Sequence, residues 1–145
     1  MPLVLAHRGA NKVAPQNTIP AFNKAVEFMA DGIETDVHLC LDNEIVICHN
    51  YTIDETSNGI GRIDEMTLSQ LKGYDFGSYF NGDFKGVTLP TLNELLDVVK
   101  DMASINIEIK PPQKDNDLVK KVVEKIHEYG IINNSIVSCF DPECV

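Results

Sequence analysis

Short apolar runs alternate with helical patterns along this chain, and that alternation restricts its fold more than any other feature. "LVLAH" (3–7) has the length and composition of a strand. "NTIPAFNKAVEFMA" (17–30) follows with helical spacing, an N-cap near Asn17 or Thr18 and Pro20 in the first turn. "GIETDVHLC" (32–40) reads as a second strand, and the turn at "LDNE" leads directly into a third, "IVICH" (45–49). Further along, "TLNELLDVVKDM" (91–102) is helical, with Leu92, Leu95, Leu96 and Val99 on one face. "SINIEIK" (104–110) is a strand, "NDLVKKVVEKIHEYG" (116–130) a helix and "SIVSCF" (135–140) a fifth strand. Strands interleaved with helices specify the α/β class, a parallel sheet covered by helices, but periodicity does not say whether the sheet is open or closed. The 145 residues suffice for one domain, 1–145, with a core.

Residues 50–90 break this rhythm. They hold many of the glycines and one short helical pattern at 67–72, as expected of an inserted, functional segment. Phe76, Tyr79, Phe80 and Phe84 are expected to form a small satellite core within it.

The strand ends carry the chemistry. Glu34, Asp36 and His38 share one face of "GIETDVHLC", opposite Ile33, Thr35 and Val37. In "INIEIK", Asn106, Glu108 and Lys110 share a face opposite three isoleucines. The first strand ends in His7-Arg8-Gly9 and the third in His49. Parallel α/β folds place their sites at the carboxyl ends of the strands, so these groups are aimed at one region. Three carboxylates gathered there repel one another and lose hydration. Either their pKa values rise or a hard divalent cation binds between them; the oxygen-only donor set favours the cation, Mg²⁺ or Ca²⁺. His7 and His49 suit acid–base work near neutral pH, and Arg8 and Lys110 supply fixed positive charge. Together these groups suit transfer at phosphorus. His38 reads as a hydrogen-bonded structural imidazole and His127 as a surface residue.

Composition excludes several other classes. A net charge of −10 disfavours nucleic acid and anionic membrane as partners. No apolar run approaches the roughly 20 residues that span a bilayer. The N-terminus lacks a basic n-region and reads as a strand, not a signal peptide. Cys40, Cys48, Cys139 and Cys144 form no CxxC pair and read as small thiols of a reducing, cytoplasmic environment.

The segments "AHRGANKVAPQNTIPAFNKAV", "DGIETDVHLCLDNEIVICHN", "TSNGIG", "LPTLNELLDVV", "INIEIK" and "SIVSCFDP" run in order over essentially the whole chain. In this the sequence resembles the glycerophosphodiester phosphodiesterase family. The resemblance implies a TIM-type (β/α) barrel with an insertion after the third strand. It also implies metal-dependent hydrolysis of glycerophosphodiesters to glycerol 3-phosphate and an alcohol. Carried over position by position, Glu34, Asp36 and Glu108 become metal ligands, His7 and His49 the acid–base pair, and Arg8 and Lys110 phosphate contacts. A glycerol hydroxyl would attack phosphorus to give a cyclic phosphate, which water then opens.

Three positions depart from the family pattern. Gln16 stands where Glu is common, Asn50 where Asp is common, and Glu55 where Arg is common. Length departs as well, since a complete eight-stranded barrel takes about 250 residues. The chain is therefore expected to be the N-terminal part, about five strands, of a truncated or split barrel, or to complete the barrel by self-association. The family's site-wall tryptophan has no counterpart, because the chain has no Trp. Two other functions fit the same residues: a non-catalytic module binding metal or phosphodiester, and a related metal-dependent phospholipase.

Overall fold

The structure is a computed structural model that describes residues 2–111 and 117–144. Its regular elements are β1 (Leu5–His7), α1 (Ile19–Glu27), β2 (Gly32–Leu39), β3 (Ile45–Ile47) and α2 (Leu68–Leu71). They continue with α3 (Leu92–Val99), β4 (Ser104–Ile109), α4 (Leu118–Glu128) and β5 (Ser135–Ser138). Four strands run parallel in the order β1-β2-β4-β5, each crossover carrying a helix. β3 is the exception: it returns antiparallel along β2, pairing Val37 with Ile47 and Leu39 with Ile45. The short connection at residues 40–44 explains this, because so few residues can join only antiparallel neighbours.

The outward face of the sheet meets the helices in one core. Ile33, Val37, Ile105, Ile107 and Ile109 pack against Phe22 and Ala25 of α1, against Leu92, Leu95, Leu96 and Val99 of α3, and against Val122 and Ile126 of α4. α3 starts cleanly because Thr91 and Glu94 form a capping box, each side chain satisfying a backbone N–H at the helix start. The N-cap position of α1 is Thr18, one of the two expected, with Pro20 in its first turn.

The 50–90 segment builds a second apolar cluster. Ile53, Ile63, Leu71, Phe76 and Leu89 bury themselves with Cys40, Val46 and Cys48 of the hairpin. Of the four aromatic residues expected in that cluster, Phe76 is the one inside it. Phe80 and Phe84 instead meet edge to face at 5.6 Å, and Tyr79 is exposed. Asp75 ties the segment's tip: its carboxylate accepts from the Gly77 and Ser78 amides, the Ser78 hydroxyl and the Gly86 amide. These bonds hold its pKa well below the ordinary carboxylate range. Gly77 is required here, since a Cβ at that position would collide with the Phe84 carbonyl oxygen.

Ile107 is fully buried at the centre of the sheet, between β2 and β5. Ile107→Ala is expected to lower the unfolding free energy by about 2–5 kcal/mol through lost burial and the cavity left behind. Urea denaturation of the two proteins measures the difference.

Candidate active site

Register places the charged groups. In the parallel pairing of β1, β2 and β4, His7 stands beside Glu34, Glu34 beside Asn106, and Asp36 beside Glu108. One carboxylate oxygen from each of Glu34, Asp36 and Glu108 lies within 4.8 Å of the others. Asp36 is fully buried and Glu34 and Glu108 partly so. Burial and the neighbouring Asp36 carboxylate push the Glu34 carboxyl up to about 7. Both resolutions of the crowding are therefore legible: one acid is driven toward its neutral form, and the three donors form a group that could hold a hard cation.

Two cations counter the charge. Lys110 Nζ stands 3.0 Å from Asp36 Oδ1 and donates to Glu108 Oε1 at 2.6 Å. Those carboxylates raise the Lys110 pKa against the opposing effect of its burial. Arg8 Nε lies 3.4 Å from Asp36 Oδ2, while its Nη1 donates to Gln16 Oε1 at 2.8 Å. Because Gln16 is neutral, Arg8 keeps its charge uncompensated on that side. His7 Nε2 is 3.7 Å from Glu34 Oε2, and burial and Arg8 lower its pKa.

The chain reaches this arrangement through a strained turn. Arg8 and Asn17 both have left-handed backbones, with φ of 56° and 55°. Each such non-glycine residue costs roughly 1–2 kcal/mol. Gly9, next to Arg8, has φ 79°, and a Cβ there would sit 2.8 Å from the Ala21 backbone, so α1 packs directly on the turn. Asn17, expected only as a helix cap, does something else. Its amide donates to Asp36 Oδ2 at 2.9 Å and its oxygen accepts from Thr35 at 3.1 Å. It is a site residue that periodicity does not reveal. The available signal is Asn itself, a residue that tolerates left-handed backbone, in a turn that also holds Pro15.

His49 arrives by the hairpin, not as the end of a parallel strand. The Cys48 amide donates to the Asp36 carbonyl, which ties the segment carrying His49 to β2. His38 holds that segment: its Nε2 bonds the His49 carbonyl oxygen at 3.3 Å. The ring also meets Tyr51 edge to face at 5.0 Å. Burial lowers the His38 pKa to about 4, so the ring is neutral and structural, as expected. His127 lies exposed in the last turn of α4. All four cysteines are free thiols. Burial raises Cys40 and Cys48 to about 11, which leaves them chemically quiet.

Three carboxylates, His7, Arg8 and Lys110 thus gather on and just after the parallel strands β1, β2 and β4, and the hairpin carries His49. Comparison with known proteins gives the family. Residues 7–144 match the model of the glycerophosphoryl diester phosphodiesterase family, and the chain belongs to that family. A glycerophosphodiester phosphodiesterase of Caldanaerobacter subterraneus subsp. tengcongensis is 40% identical over 141 residues, covering 96% of this chain and 58% of the relative. The crystal structure of a glycerophosphodiester phosphodiesterase from Agrobacterium tumefaciens superposes with a TM-score of 0.91 at 33% identity, over 99% of this chain and 60% of that one. An Oleispira antarctica phosphodiesterase, solved with its product sn-glycerol-3-phosphate, gives a TM-score of 0.85 at 29% identity, with 99% and 60% covered. The fold is thus the N-terminal part of a TIM-type barrel, and the chain spans about half to three fifths of the relatives it matches.

Glu34 generates a pH dependence of stability. Its folded pKa of about 7 lies above the unfolded value near 4.5. Its contribution is therefore complete below about pH 4.5 and is lost as pH rises through 7. In metal-free buffer, wild type is expected to lose stability relative to Glu34→Gln across that interval, as read from paired thermal melts. Parallel pH profiles of the two proteins would remove Glu34 as the source.

Proposed function

We propose that this chain carries the catalytic part of an enzyme that hydrolyses glycerophosphodiesters to glycerol 3-phosphate and an alcohol. One observation carries the reading: the β2–β4 register brings Glu34, Asp36 and Glu108 together, with His7, Arg8, Lys110 and the His49 segment around them.

The three carboxylates fit a divalent cation, Ca²⁺ or Mg²⁺. All donors are carboxyl oxygens, and Asp36 Oδ1 is buried and faces Lys110 across an ion pair of 3.0 Å. When bound, the ion supplies Lewis-acid stabilisation of charge on a phosphoryl oxygen. The chain's own residues do the rest. Arg8 and Lys110 bind the phosphodiester and spread its charge. One of His7 and His49 takes the proton from the attacking glycerol hydroxyl, and the other returns one to the leaving alcohol. A cleft of about 180 Å³ beside Arg8, lined by Asn11, Lys12, Tyr79 and Phe80, receives the alcohol group. The inserted segment 50–90 thereby supplies a substrate wall.

Among the described residues, no helix is long and apolar enough to cross a membrane. With four free thiols, the chain is read as a cytoplasmic enzyme acting on a small substrate. Among the described residues, strands β1 and β5 are free sheet edges, and Leu5 and Ile136 stand exposed on the inward face. A second copy of the chain can cover these surfaces, and sedimentation at increasing concentration measures whether it does.

Activity is tested by glycerol 3-phosphate release from glycerophosphocholine with Ca²⁺, Mg²⁺ or EDTA. Turnover is expected with a divalent ion and its loss with EDTA. His7→Ala and His49→Ala are each expected to lower the rate on the order of 10²–10⁴-fold. Wild-type rates in either variant would end the acid–base assignment.

A further inference from the structure

Asn50 sits between two groups of opposite demand. His49 Nδ1 lies 2.7 Å from its Oδ1, and its Nδ2 donates to Glu55 Oε2 at 2.9 Å. A carboxylate near neutral pH only accepts hydrogen bonds. The edge of the Asn50 amide that faces Glu55 must therefore be its NH₂. The amide is planar, so its opposite edge, the oxygen, faces the imidazole. An oxygen can only accept, and the ring nitrogen against it must carry the proton.

We propose that Glu55, acting through Asn50, is a positioning residue that locks neutral His49 in its Nδ1–H tautomer and leaves Nε2 as the basic nitrogen. The assignment of the tautomer stands on the hydrogen-bond chain alone; its value to catalysis rests on the function proposed above. A general base must present a lone pair at a defined atom, and an imidazole with the wrong nitrogen protonated presents none there. Glu55 is exposed and lies five residues from Asn50, so it directs chemistry without touching substrate. The two departures from the family pattern at positions 50 and 55 thus form one interacting pair: a neutral donor–acceptor amide is oriented by an anionic neighbour.

The experiment is long-range ¹H–¹⁵N correlation of the histidine side chains in the ¹⁵N-labelled chain, in buffer alkaline enough to keep imidazoles neutral. Wild type is expected to show His49 with a protonated Nδ1 and a bare Nε2. Glu55→Arg replaces the acceptor by a donor, so the Asn50 amide turns and its NH₂ faces His49 Nδ1. The ring must then accept there, and the protonated signal is expected to move to Nε2. The double variant Asn50→Asp/Glu55→Arg restores an oxygen to the imidazole. Its new carboxylate accepts from the new guanidinium and from His49 alike, so the Nδ1–H pattern should return. A protonated Nε2 in wild type, or an unchanged spectrum in Glu55→Arg, would overturn the proposal. In turnover assays the single variant should lose kcat with little change in KM, and the double variant should recover it. The nitrogen spectrum decides the tautomer without turnover, so a chain inactive in every assay would refute the function and not the hydrogen-bond lock.

Discussion

Like-charge crowding on two adjacent central strands is the constraint around which this molecule is arranged. The pairing of Asp36 with Glu108 follows from a parallel register that the apolar face determines. Sliding β4 by one residue would bury Asn106 and Glu108 among the helices and expose three isoleucines. The core therefore enforces the electrostatic problem, and the free energy of burying Ile105, Ile107 and Ile109 holds the carboxylates where they repel.

The surroundings relieve that repulsion without cancelling it. Lys110 lies on the same strand face as Glu108 and reaches both carboxylates, and Arg8 approaches the other Asp36 oxygen. Asn17 takes one Asp36 oxygen by hydrogen bond, which needs a left-handed backbone at a non-glycine residue. Strain at Arg8 and Asn17 is thus coupled to the orientation of the least exposed carboxylate. Even so, Glu34 keeps a raised pKa. A cluster balanced this way could hold a cation.

Most of this is legible in the sequence, because two-residue alternation in "GIETDVHLC" and "INIEIK" is a direct record of which side chains face inward. The five strands and four helical patterns are present, with ends trimmed by a few residues. The route of His49 is harder to read. Placing it at the end of a strand like the others reaches the right region by a different path, since β3 runs the other way and a hairpin delivers the residue. Asn17 is not legible as a site element, and Asn50 and Glu55 are legible as departures from the family pattern but not as an interacting pair. Their roles depend on backbone sign and on contacts between loop residues, neither of which leaves a periodic trace. The aromatic residues of the insertion show the same limit: Phe76 lies in the core, while Tyr79 and Phe80 line the cleft beside Arg8.

The residues assigned to chemistry lie on β1, β2, β4 or the loops that follow β1, β3 and β4, and contacts within this chain orient them. The arrangement of these charged groups is consequently separable from closure of the barrel. The carboxylate register, the Arg8 turn and the Lys110 bridges need only β1, β2, β4 and α1. Exclusion of water is a different matter, because Leu5 and Ile136 face an open side and His7 is largely exposed. Electrostatic stabilisation strengthens as a site dries, so the same residues are worth more once that side is covered. On the function proposed above, covering the inward face therefore governs the rate more than the capacity to bind an ion and a phosphodiester.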